Sequence, residues 1–377
     1  MADIFIRNVD WLVTVDGDRR IFTDGALAIQ GDRIIAVGKT YDLEAEHASS
    51  RHIIDGRGKV VLPGLIDAHI HTAFQLSRGL ADGVSAQKFL FERMYPYEGL
   101  LTEEESYWSA MLCVLELLRN GVTTFIDAGN YQPHQTARVA GEAGVRCIIA
   151  KSALDIVKTP FGALPETFIE TTEQALERAE EVVRKWNGAY DGRVRAWFQF
   201  RGIPNSTDRL ISRMKELADH YRTGVQTHAC FSKETLESCK TQFGLTEIER
   251  LARLGVLGPN LLLVHSGWVS PHEVQWMLDH DVKIVAAPSS SLHNGYGCIL
   301  MGKLPEFLEM GLAVGLASDH ASSGIVDLVQ EMLLVSGVYK EVRLNTSVLP
   351  PERVIEMATI NGARCALWEK EIGSLEV

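Results

Sequence analysis

The chain has 377 residues, 46% of them hydrophobic, so it can bury a large core and is too long for a minimal single domain. Its net charge of -12 comes from interspersed acidic residues, and no run of lysine or arginine could follow a phosphate backbone or an anionic membrane. These properties argue against nucleic acid and membranes as partners and leave a small molecule as the expected one.

The sequence carries no sign of export or membrane insertion. Its first residues, MADIFIRNVDWLVTVDGD, are charged throughout and lack the basic start and apolar stretch of a signal peptide. No segment approaches the ~18 uninterrupted apolar residues of a membrane helix. The six cysteines have no CxxC spacing, and most lie in apolar contexts: Cys113, Cys147, Cys230, Cys239, Cys298 and Cys365. We therefore expect a soluble, reduced protein of the cytoplasm.

Residues 1–57 have the alternating pattern of β-strands. The segments DIFIRNVDWLVTV, GALAIQGDRIIAVG and HIIDGRGKVVLPG alternate apolar and polar residues and are separated by Gly-Asp and Gly-Lys turns. This pattern predicts a small, antiparallel, β-sandwich-like domain at the N-terminus.

From residue 58 to 368, short β-branched runs alternate with longer amphipathic segments, which is typical of repeated βα units. The candidate strands are VVLPGLIDAHI, VTTFIDAG, RCIIAKSAL, VRAWFQF, GVQTHAC, LLLVHSG, VKIVAAP and LAVGLASD. Eight such strands predict an α/β fold with a closed (β/α)8 TIM barrel. An open Rossmann-like sheet would need a glycine-rich phosphate turn after its first strand, and the sequence has none.

The ends of these strands carry residues with metal-binding chemistry. In a (β/α)8 barrel, catalytic groups lie at the C-terminal ends of the strands. The first strand ends in DAHIH, and residues i and i+2 of an extended chain point the same way, so His69 and His71 both project into the barrel mouth. His228 ends the fifth candidate strand, His265 the sixth and Asp319 the eighth. Imidazole and carboxylate groups that converge in this way suit a divalent ion.

Each of these histidines also has a more ordinary interpretation. A single histidine at a strand end is more often a satisfied polar residue than a ligand, and the His-x-His pair is only a stronger indication. The position of all of them at strand ends favours a site, because unrelated histidines fall as often in helices and loops. Four other histidines lie in or beside predicted helices, and we expect them to face solvent or cap helices: His134, His220, His272 and His280.

The segment VLPGLIDAHIHTAFQLSRGLADG resembles the first barrel strand and loop of the amidohydrolase superfamily. The resemblance is to the branch of aminohydrolases and chlorohydrolases acting on purines, pterins, cytosine and triazines, which includes cytosine deaminase, guanine deaminase, S-adenosylhomocysteine deaminase and triazine hydrolase. It continues through YPYEGLLTEEESYWSAMLCVLELLRNGVTTFIDAG, VQTHAC, GLTEIERLARLGVLGPNLLLVHSGWVS, VKIVAAPSSSLHNGYG and GLASDHASSGIVDLVQEML. The similarity therefore covers nearly the whole chain.

This resemblance implies a metal site and a mechanism. It assigns metal ligation to four matching residues, His69, His71, His228 and Asp319. His265 matches the residue that steadies the attacking water or the developing oxyanion. The implied reaction is hydrolysis by hydroxide that the metal generates at neutral pH, with Asp319 as the base that receives the water proton. Binuclear relatives use a modified lysine on the fourth strand, which VRAWFQF lacks, so one divalent ion is expected, zinc before iron.

Two positions depart from the pattern of this branch. The branch usually places a glutamate three residues after the fifth-strand histidine to carry protons, but this chain has Phe231 there, and Glu234 lies three residues too late. The eighth-strand aspartate is commonly followed by a small residue, and here it is His320. That imidazole either replaces the missing acid or faces a loop, and we favour the loop.

Several loop residues match positions where relatives contact substrate. For Phe74 and Trp268, packing in the wall is an equal alternative to substrate contact. Arg78 is expected to be structural and to pair with a carboxylate. The candidate substrate contacts are Phe74, Gln75, Trp268, His293 and His320, with Ser289 and Ser291 in the same loops.

The last residues, EIGSLEV, resemble the start of the family's closing segment, which returns to the N-terminal β domain and completes it. The final strands of that segment are missing, and residues 369–377 cut it short. Either the sequence is truncated or the small domain is incomplete. In the second case an unpaired strand edge would favour association into a homo-oligomer.

The metal ligands and the resemblance together predict a deaminase-type hydrolase that cleaves a C–N or C–Cl bond at an amidine-like carbon of a heterocycle. The missing glutamate favours an alternative, the hydrolysis of an acyclic amide, urea or carbamate. A catalytically silent scaffold relative is the non-enzyme alternative. Five intact site groups argue against a scaffold, and the substrate itself does not follow from the sequence.

Overall fold

The computed structural model describes residues 2–322, 324 and 326–377. The chain forms two compact units. One contains the residues up to Leu65 together with Trp368–Val377, and the other contains Ile66–Leu367. Among the described residues, none of the helices combines the length and the apolar character needed to cross a membrane.

The first unit is a five-stranded sheet with one helix. Its elements are β1 (Ile4–Val13), β2 (Ile21–Gln30), β3 (Arg33–Lys39), α1 (Thr40–His47), β4 (His52–Asp55) and β5 (Val60–Val61). The strand order is β3-β2-β1-β4, and β5 also pairs with β1. β1, β2 and β3 are antiparallel, but β4 and β5 run parallel to β1. The prediction of a purely antiparallel sheet is therefore wrong, because α1 provides the crossover that returns the chain in the parallel direction.

The C-terminal segment takes part in the core of this unit. Leu375 packs with buried Val9, Leu12 and Leu27, which are contributed by β1 and β2. Its backbone N–H donates to the Thr14 carbonyl at 2.8 Å. The tail therefore supplies apolar contact to the sheet without adding a strand of its own.

The second unit is an eight-stranded parallel barrel. Its strands are β6 (Leu65–Ile70), β7 (Val122–Asp127), β8 (Arg146–Ala150), β9 (Val194–Gly202), β10 (Val225–Ala229), β11 (Leu261–His265), β12 (Lys283–Ala286) and β13 (Val314–Leu316). They are neighbours in chain order from β6 to β13. All eight coincide with the strands predicted from the sequence, and the predicted TIM-barrel fold is confirmed.

Helices surround the barrel and end near its strands. They are α2 (Ala86–Lys88), α3 (Tyr95–Glu98), α4 (Glu103–Arg119), α5 (Pro133–Ala143), α6 (Thr172–Trp186), α7 (Asp208–Tyr221), α8 (Lys233–Phe243), α9 (Glu247–Arg253), α10 (Pro271–Asp279), α11 (Pro288–Asn294), α12 (Leu304–Glu309), α13 (Leu328–Arg343), α14 (Pro351–Met357) and α15 (Ile360–Cys365). The long α4 begins with a capping box, in which Thr102 accepts from the Glu105 backbone and Glu105 from that of Thr102. Such caps satisfy N–H groups that the helix itself leaves unpaired.

The barrel closes where its first and last strands meet. Ile70 and Asp319 form a parallel bridge, and Asp319 exchanges backbone hydrogen bonds with His69 and His71 at 3.0 and 2.7 Å. Nearby, the buried Asp67 carboxylate accepts from the backbone N–H and the hydroxyl of Ser318. This seam holds the ends of β6 and β13 side by side.

Candidate metal centre

Three histidines from two separate strands meet at the C-terminal end of the barrel. His69 lies in β6, His71 is the first residue after that strand, and His228 lies in β10. One nitrogen of each ring lies within 4.8 Å of a nitrogen of the other two. The extended backbone places the first two side chains on one face, and the parallel barrel brings the third to the same end.

Asp319 completes this cluster. Its Oδ1 lies 3.5 Å from the Nε2 atoms of both His69 and His71. Its Oδ2 lies 3.8 Å from Nε2 of His265. Two ligands of a tetrahedral zinc ion, each about 2.1 Å from the metal, lie roughly 3.4 Å apart. The spacing of Asp319 from His69 and His71 therefore fits ligands of one divalent ion.

The unpaired atoms of the cluster point to the same conclusion. His69 is fully buried, and neither of its ring nitrogens has a hydrogen-bond partner among the described residues. Leaving such a group unpaired in the interior is costly, and metal ligation through one of the two nitrogens would remove part of that cost. In His228, Nδ1 is 2.8 Å from the Arg201 carbonyl oxygen, which fixes the ring and leaves Nε2 for the cluster.

The protonation states also suit a metal. Burial, together with the neighbouring imidazoles and Arg201, holds the pKa values of His71 and His228 well below their usual range. Burial alone would raise the pKa of Asp319, but the imidazoles of His320, His265 and His69 outweigh it, and the pKa is held well below its ordinary value. Neutral imidazoles and an ionised carboxylate are the forms that bind metal ions.

Two residues at the site have a backbone conformation that is unusual for residues other than glycine. The φ angle is +78° at His265 and +63° at Asp319. Such left-handed conformations cost on the order of 1 kcal/mol or more and cluster at functional sites. The backbone hydrogen bonds of Asp319 with His69 and His71 hold it in this conformation. The pairing of the first and last barrel strands therefore sets the orientation of its carboxylate.

A cavity opens directly beside the cluster. Its empty volume, which includes the mouth, is about 530 Å³, a size that suits a small molecule. The metal-ligand candidates His71, His228 and Asp319 lie in its wall together with His265. Five aromatic side chains line another part of the wall: Phe89, Tyr95, Phe161, Phe231 and Tyr296.

The structure also places His320 in the wall of this cavity. The side chain is buried, its Nδ1 lies 2.8 Å from the Ser322 hydroxyl, and its Nε2 lies 3.3 Å from that of Ser290. Its Nε2 is 3.9 Å from Oδ2 of Asp319. The interpretation of His320 as a loop-facing residue is therefore wrong. The short turn after β13 folds inward because two serines satisfy both ring nitrogens.

The other candidate substrate contacts lie outside the cavity wall, as far as the described residues define it. Phe74 is fully buried and stacks on the His71 ring at 4.5 Å, so it packs against a candidate metal-binding side chain and not against the cavity. Gln75 is buried and accepts from Arg78. Trp268 donates from its indole nitrogen to the Tyr296 carbonyl, and half-exposed His293 faces Asp82 at 3.3 Å.

The expected structural role of Arg78 agrees with its contacts, because it pairs with Glu116 in α4. Two of the four histidines that were expected to face solvent or cap helices have clear contacts. His134 accepts a hydrogen bond from the Trp186 indole at 2.6 Å, so it is a packed polar residue. His280 lies in the C-cap of α10, where Nδ1 is 2.8 Å from the Trp276 carbonyl oxygen.

Sequence reasoning missed three buried residues that shape the site. Arg201 is the last residue but one of β9 and lines the cavity. Glu247 accepts from the Cys230 backbone just after β10, and burial raises its pKa to about 7. Glu331 accepts from the Ser289 backbone in the first turn of α11, and burial raises its pKa to about 8. Only Arg201 has a signal in the sequence, since it is a charged residue at the end of a barrel strand.

Comparison with known proteins agrees with this fold. The amidohydrolase family model matches residues 60–377. The 5-methylthioadenosine/S-adenosylhomocysteine deaminase of Syntrophobacter fumaroxidans is 31% identical over 377 residues, which cover all of this chain and 82% of the relative.

Two solved structures with bound zinc have the same fold. An adenosine deaminase from Xanthomonas campestris is 23% identical, with a TM-score of 0.91 over 100% of this chain and 82% of the other. Atrazine chlorohydrolase from Arthrobacter aurescens TC1 is also 23% identical, with a TM-score of 0.88 over 99% of this chain and 84% of the other. The family model matches most of the chain, and the Syntrophobacter fumaroxidans relative is 31% identical over its whole length, so the chain belongs to the amidohydrolase family.

Proposed function

We propose that this chain is a metal-dependent hydrolase that releases an amine, or chloride, from an amidine-like carbon of a heterocycle. The observation that carries the proposal is the convergence of three imidazoles and one carboxylate beside a cavity that is partly lined by aromatic side chains. Planar aromatic walls suit an unsaturated ring, because stacked and edge-on contacts with such rings are favourable. The names of the relatives, which are deaminases and a chlorohydrolase, support the same reaction class.

The residues that would hold the ion are His69, His71, His228 and Asp319. When bound, a divalent cation of this kind lowers the pKa of water toward ~7 and so supplies hydroxide at neutral pH. Asp319 is also placed to take the proton of the attacking water, because its second oxygen faces the cavity side where His265 lies. His265 donates to, or orients, the oxygen that becomes negatively charged during attack.

Burial of His265 supports this assignment. Burial lowers its pKa to about 4, so the ring is neutral near pH 7 and has one N–H to donate. Its Nδ1 has no partner among the described residues, and its Nε2 faces Asp319. A neutral imidazole at this position stabilises developing charge without competing with the metal for the carboxylate.

The hydrolysis of an acyclic amide, urea or carbamate is the second candidate. Phe231 favours it, because this side chain lines the cavity and stands at the position to which the sequence resemblance assigns a proton-transferring glutamate. Among the described residues that line the cavity, Asp319 is the single carboxylate. A catalytically silent scaffold is a weaker candidate, since five site groups converge with their metal-binding atoms unpaired or weakly paired.

The test is a release assay on metal-loaded protein of measured metal content. Ammonia, amine and chloride are measured over a panel of purines, pterins, triazines and acyclic ureas. Release from ring substrates supports the proposal. Release from ureas alone favours the second candidate, and no release from any member with one ion bound favours the scaffold.

Replacing His265 by asparagine separates a catalytic role from a metal-binding role. We expect the variant to retain about one ion per chain and to lose roughly 10²-fold in kcat, the usual scale for one preorganised polar group. Elemental analysis and steady-state kinetics check both quantities on the same sample. Loss of the metal from this variant would show that His265 is a ligand.

We also propose a reducing, cytoplasmic setting. All six cysteines are free thiols, and five of them are buried. Association into a homo-oligomer remains a prediction. It is supported by exposed apolar side chains on α4, including Trp108 and Leu115.

A further inference from the structure

Tyr296 is a buried phenol in the wall of the substrate cavity. It follows Gly295, the C-cap of α11, and has only 4% of its surface exposed. The centre of its ring lies 5.4 Å from that of Phe231 and 5.7 Å from that of His265. The phenol therefore lies next to the position to which the sequence resemblance assigns a proton-transferring glutamate. The resemblance gives Tyr296 itself no role.

The backbone of Tyr296 is held on both sides. Its N–H donates to the Ser291 carbonyl at 3.1 Å, and its carbonyl accepts from the Trp268 indole at 2.8 Å. Its ring packs between those of Phe231 and His265. A side chain that is fixed in this way before the substrate arrives spends little free energy on reorganisation during the reaction.

Neighbouring polar groups leave the phenol proton available. Burial and the charge of Asp319 hold the pKa of Tyr296 well above its usual value, and the Ser290 hydroxyl offsets them only in part, as a donor to the phenol oxygen does. The Ser290 oxygen lies 3.3 Å from Nε2 of His320, whose Nδ1 lies 2.8 Å from the Ser322 hydroxyl. Hydrogen bonds donated in the order Ser322, His320 and Ser290 reach the phenol oxygen and leave the phenol O–H for a ligand.

The reaction creates an acceptor for this donor. Attack on an amidine-like carbon puts negative charge on the attacking oxygen and on the ring nitrogen beside that carbon. His265 is placed to stabilise the oxygen. The nitrogen needs a donor of its own, and Phe231 has none to offer. The phenol of Tyr296 is a donor that contacts both of these side chains.

We propose that Tyr296 is a catalytic residue that donates a hydrogen bond from its hydroxyl to the ring nitrogen next to the attacked carbon. The phenol stabilises the charge on that nitrogen and keeps its own proton, so Asp319 still protonates the leaving amine. This rests on the proposed function, because it adds a residue to the same reaction. It places the donor on the loop after the seventh barrel strand, whereas the resemblance expects it after the fifth.

The first test removes a single oxygen atom. Tyr296→Phe keeps the ring and its packing, so we expect about one ion per chain and roughly a 10²-fold loss in kcat, the scale for one preorganised donor. KM should change by less than about threefold, because the hydrogen bond strengthens as charge develops on the nitrogen. Steady-state kinetics use the ring substrate that the wild type hydrolyses fastest in the release assay.

Tyr339→Phe is the matched control. The Tyr339 hydroxyl donates to the carbonyl of Cys298, two residues after Tyr296 in the same loop, at 3.3 Å. This variant also loses one phenol oxygen and one tie to the loop, but no donor at the substrate cavity. Its kcat should stay within about twofold of the wild-type value.

A second test measures binding and needs no turnover. Purine and benzimidazole share a bicyclic skeleton and differ in the two nitrogens of the six-membered ring, and pyrimidine and benzene differ in the same way. None of the four has a leaving group. Dissociation constants from metal-loaded protein are measured by NMR titration. Tyr296→Phe should weaken the binding of purine and pyrimidine by about 3- to 10-fold, the range for a neutral hydrogen bond, and change that of the two hydrocarbon-ring partners by less than twofold.

Three results would each overturn the proposal: a kcat of Tyr296→Phe within about threefold of the wild type, an equal loss in Tyr339→Phe, or nitrogen-ring binding that does not change in Tyr296→Phe. Selective weakening of purine or pyrimidine binding, in a protein that releases nothing from any ring substrate, contradicts the proposed function and leaves the contact of Tyr296 with the ring nitrogen intact. Equal release and equal binding in the wild type and in Tyr296→Phe contradict the role of Tyr296 and leave the proposed function intact.

Discussion

Replacing His69 by alanine is expected to release the divalent ion and to abolish hydrolysis. The side chain is fully buried at the centre of the cluster, and both of its nitrogens lack a protein partner among the described residues. Removing one ligand of four removes a large share of the binding energy of the site. Without the ion, hydroxide at pH 7 depends on the ordinary pKa of water, so kcat should fall by more than about 10³-fold.

Elemental analysis of the wild-type protein and of the variant measures this effect directly. The wild type should contain about one ion per chain, with zinc the best fit, and the variant close to none. His134→Ala is the matched control, since it removes a partly buried histidine of the same unit that bonds to Trp186. Two ions per wild-type chain, or an unchanged metal content in the His69 variant, would refute the assigned ligand set.

Hydrolysis is expected to slow steeply as the leaving group becomes more basic. An amine expelled near neutral pH needs a proton, and a positioned general acid contributes roughly 10² to 10⁴ in rate. Phe231 stands where the sequence resemblance implies the general acid, and its ring lies 5.7 Å from that of His265 and 5.4 Å from that of Tyr296. Asp319 must then act first as base and afterwards as acid, which serves good leaving groups best.

A series of ring analogues that differ only in the leaving group measures this dependence, as log kcat/KM against leaving-group pKa. A flat line, with unactivated amines released as fast as chloride or anilines, would contradict the expectation and require another acid. His320→Asn is the next variant in that case, because its imidazole lines the same cavity 3.9 Å from Asp319. A flat line that becomes steep in this variant would assign the proton transfer to His320.

The barrel could be predicted from the sequence because its signals are local. Buried parallel strands appear as short β-branched runs, and the helices between them begin with recognisable caps such as Thr102 and Glu105. The pairing of β4 and β5 with β1 was not local. It depended on the short helix α1, whose direction the alternating pattern could not reveal.

The metal ligands were predictable for a related reason. His69, His71, His228 and Asp319 lie at strand ends, and barrel geometry alone brings strand ends together. Whether a loop side chain enters the cavity depends on the path of the loop. Phe74 turns behind His71, and His320 is drawn inward by Ser290 and Ser322.

The ion pair of Arg201 and Glu98 shows the same limit. Its partners lie 103 residues apart, on β9 and on the short α3 before the long helix α4. Nothing in either segment indicates the other, since a buried ion pair forms only when the tertiary structure removes both groups from water. The position of Arg201 near a strand end can be predicted from the sequence. That its Nη2 is buried without a partner among the described residues cannot.

The seam of the barrel has a consequence for how the enzyme becomes active in a cell. Asp67 and Ser318, which fasten the first barrel strand to the last, are 251 residues apart in the chain. The donor set crosses the same junction, with His69 and His71 on one side and Asp319 on the other. A chain emerging from the ribosome therefore has no complete set of ligands until its eighth barrel strand has been made and docked. Complete ligation of the ion is thus a late step of folding, because it requires the first and last barrel strands to be in place together.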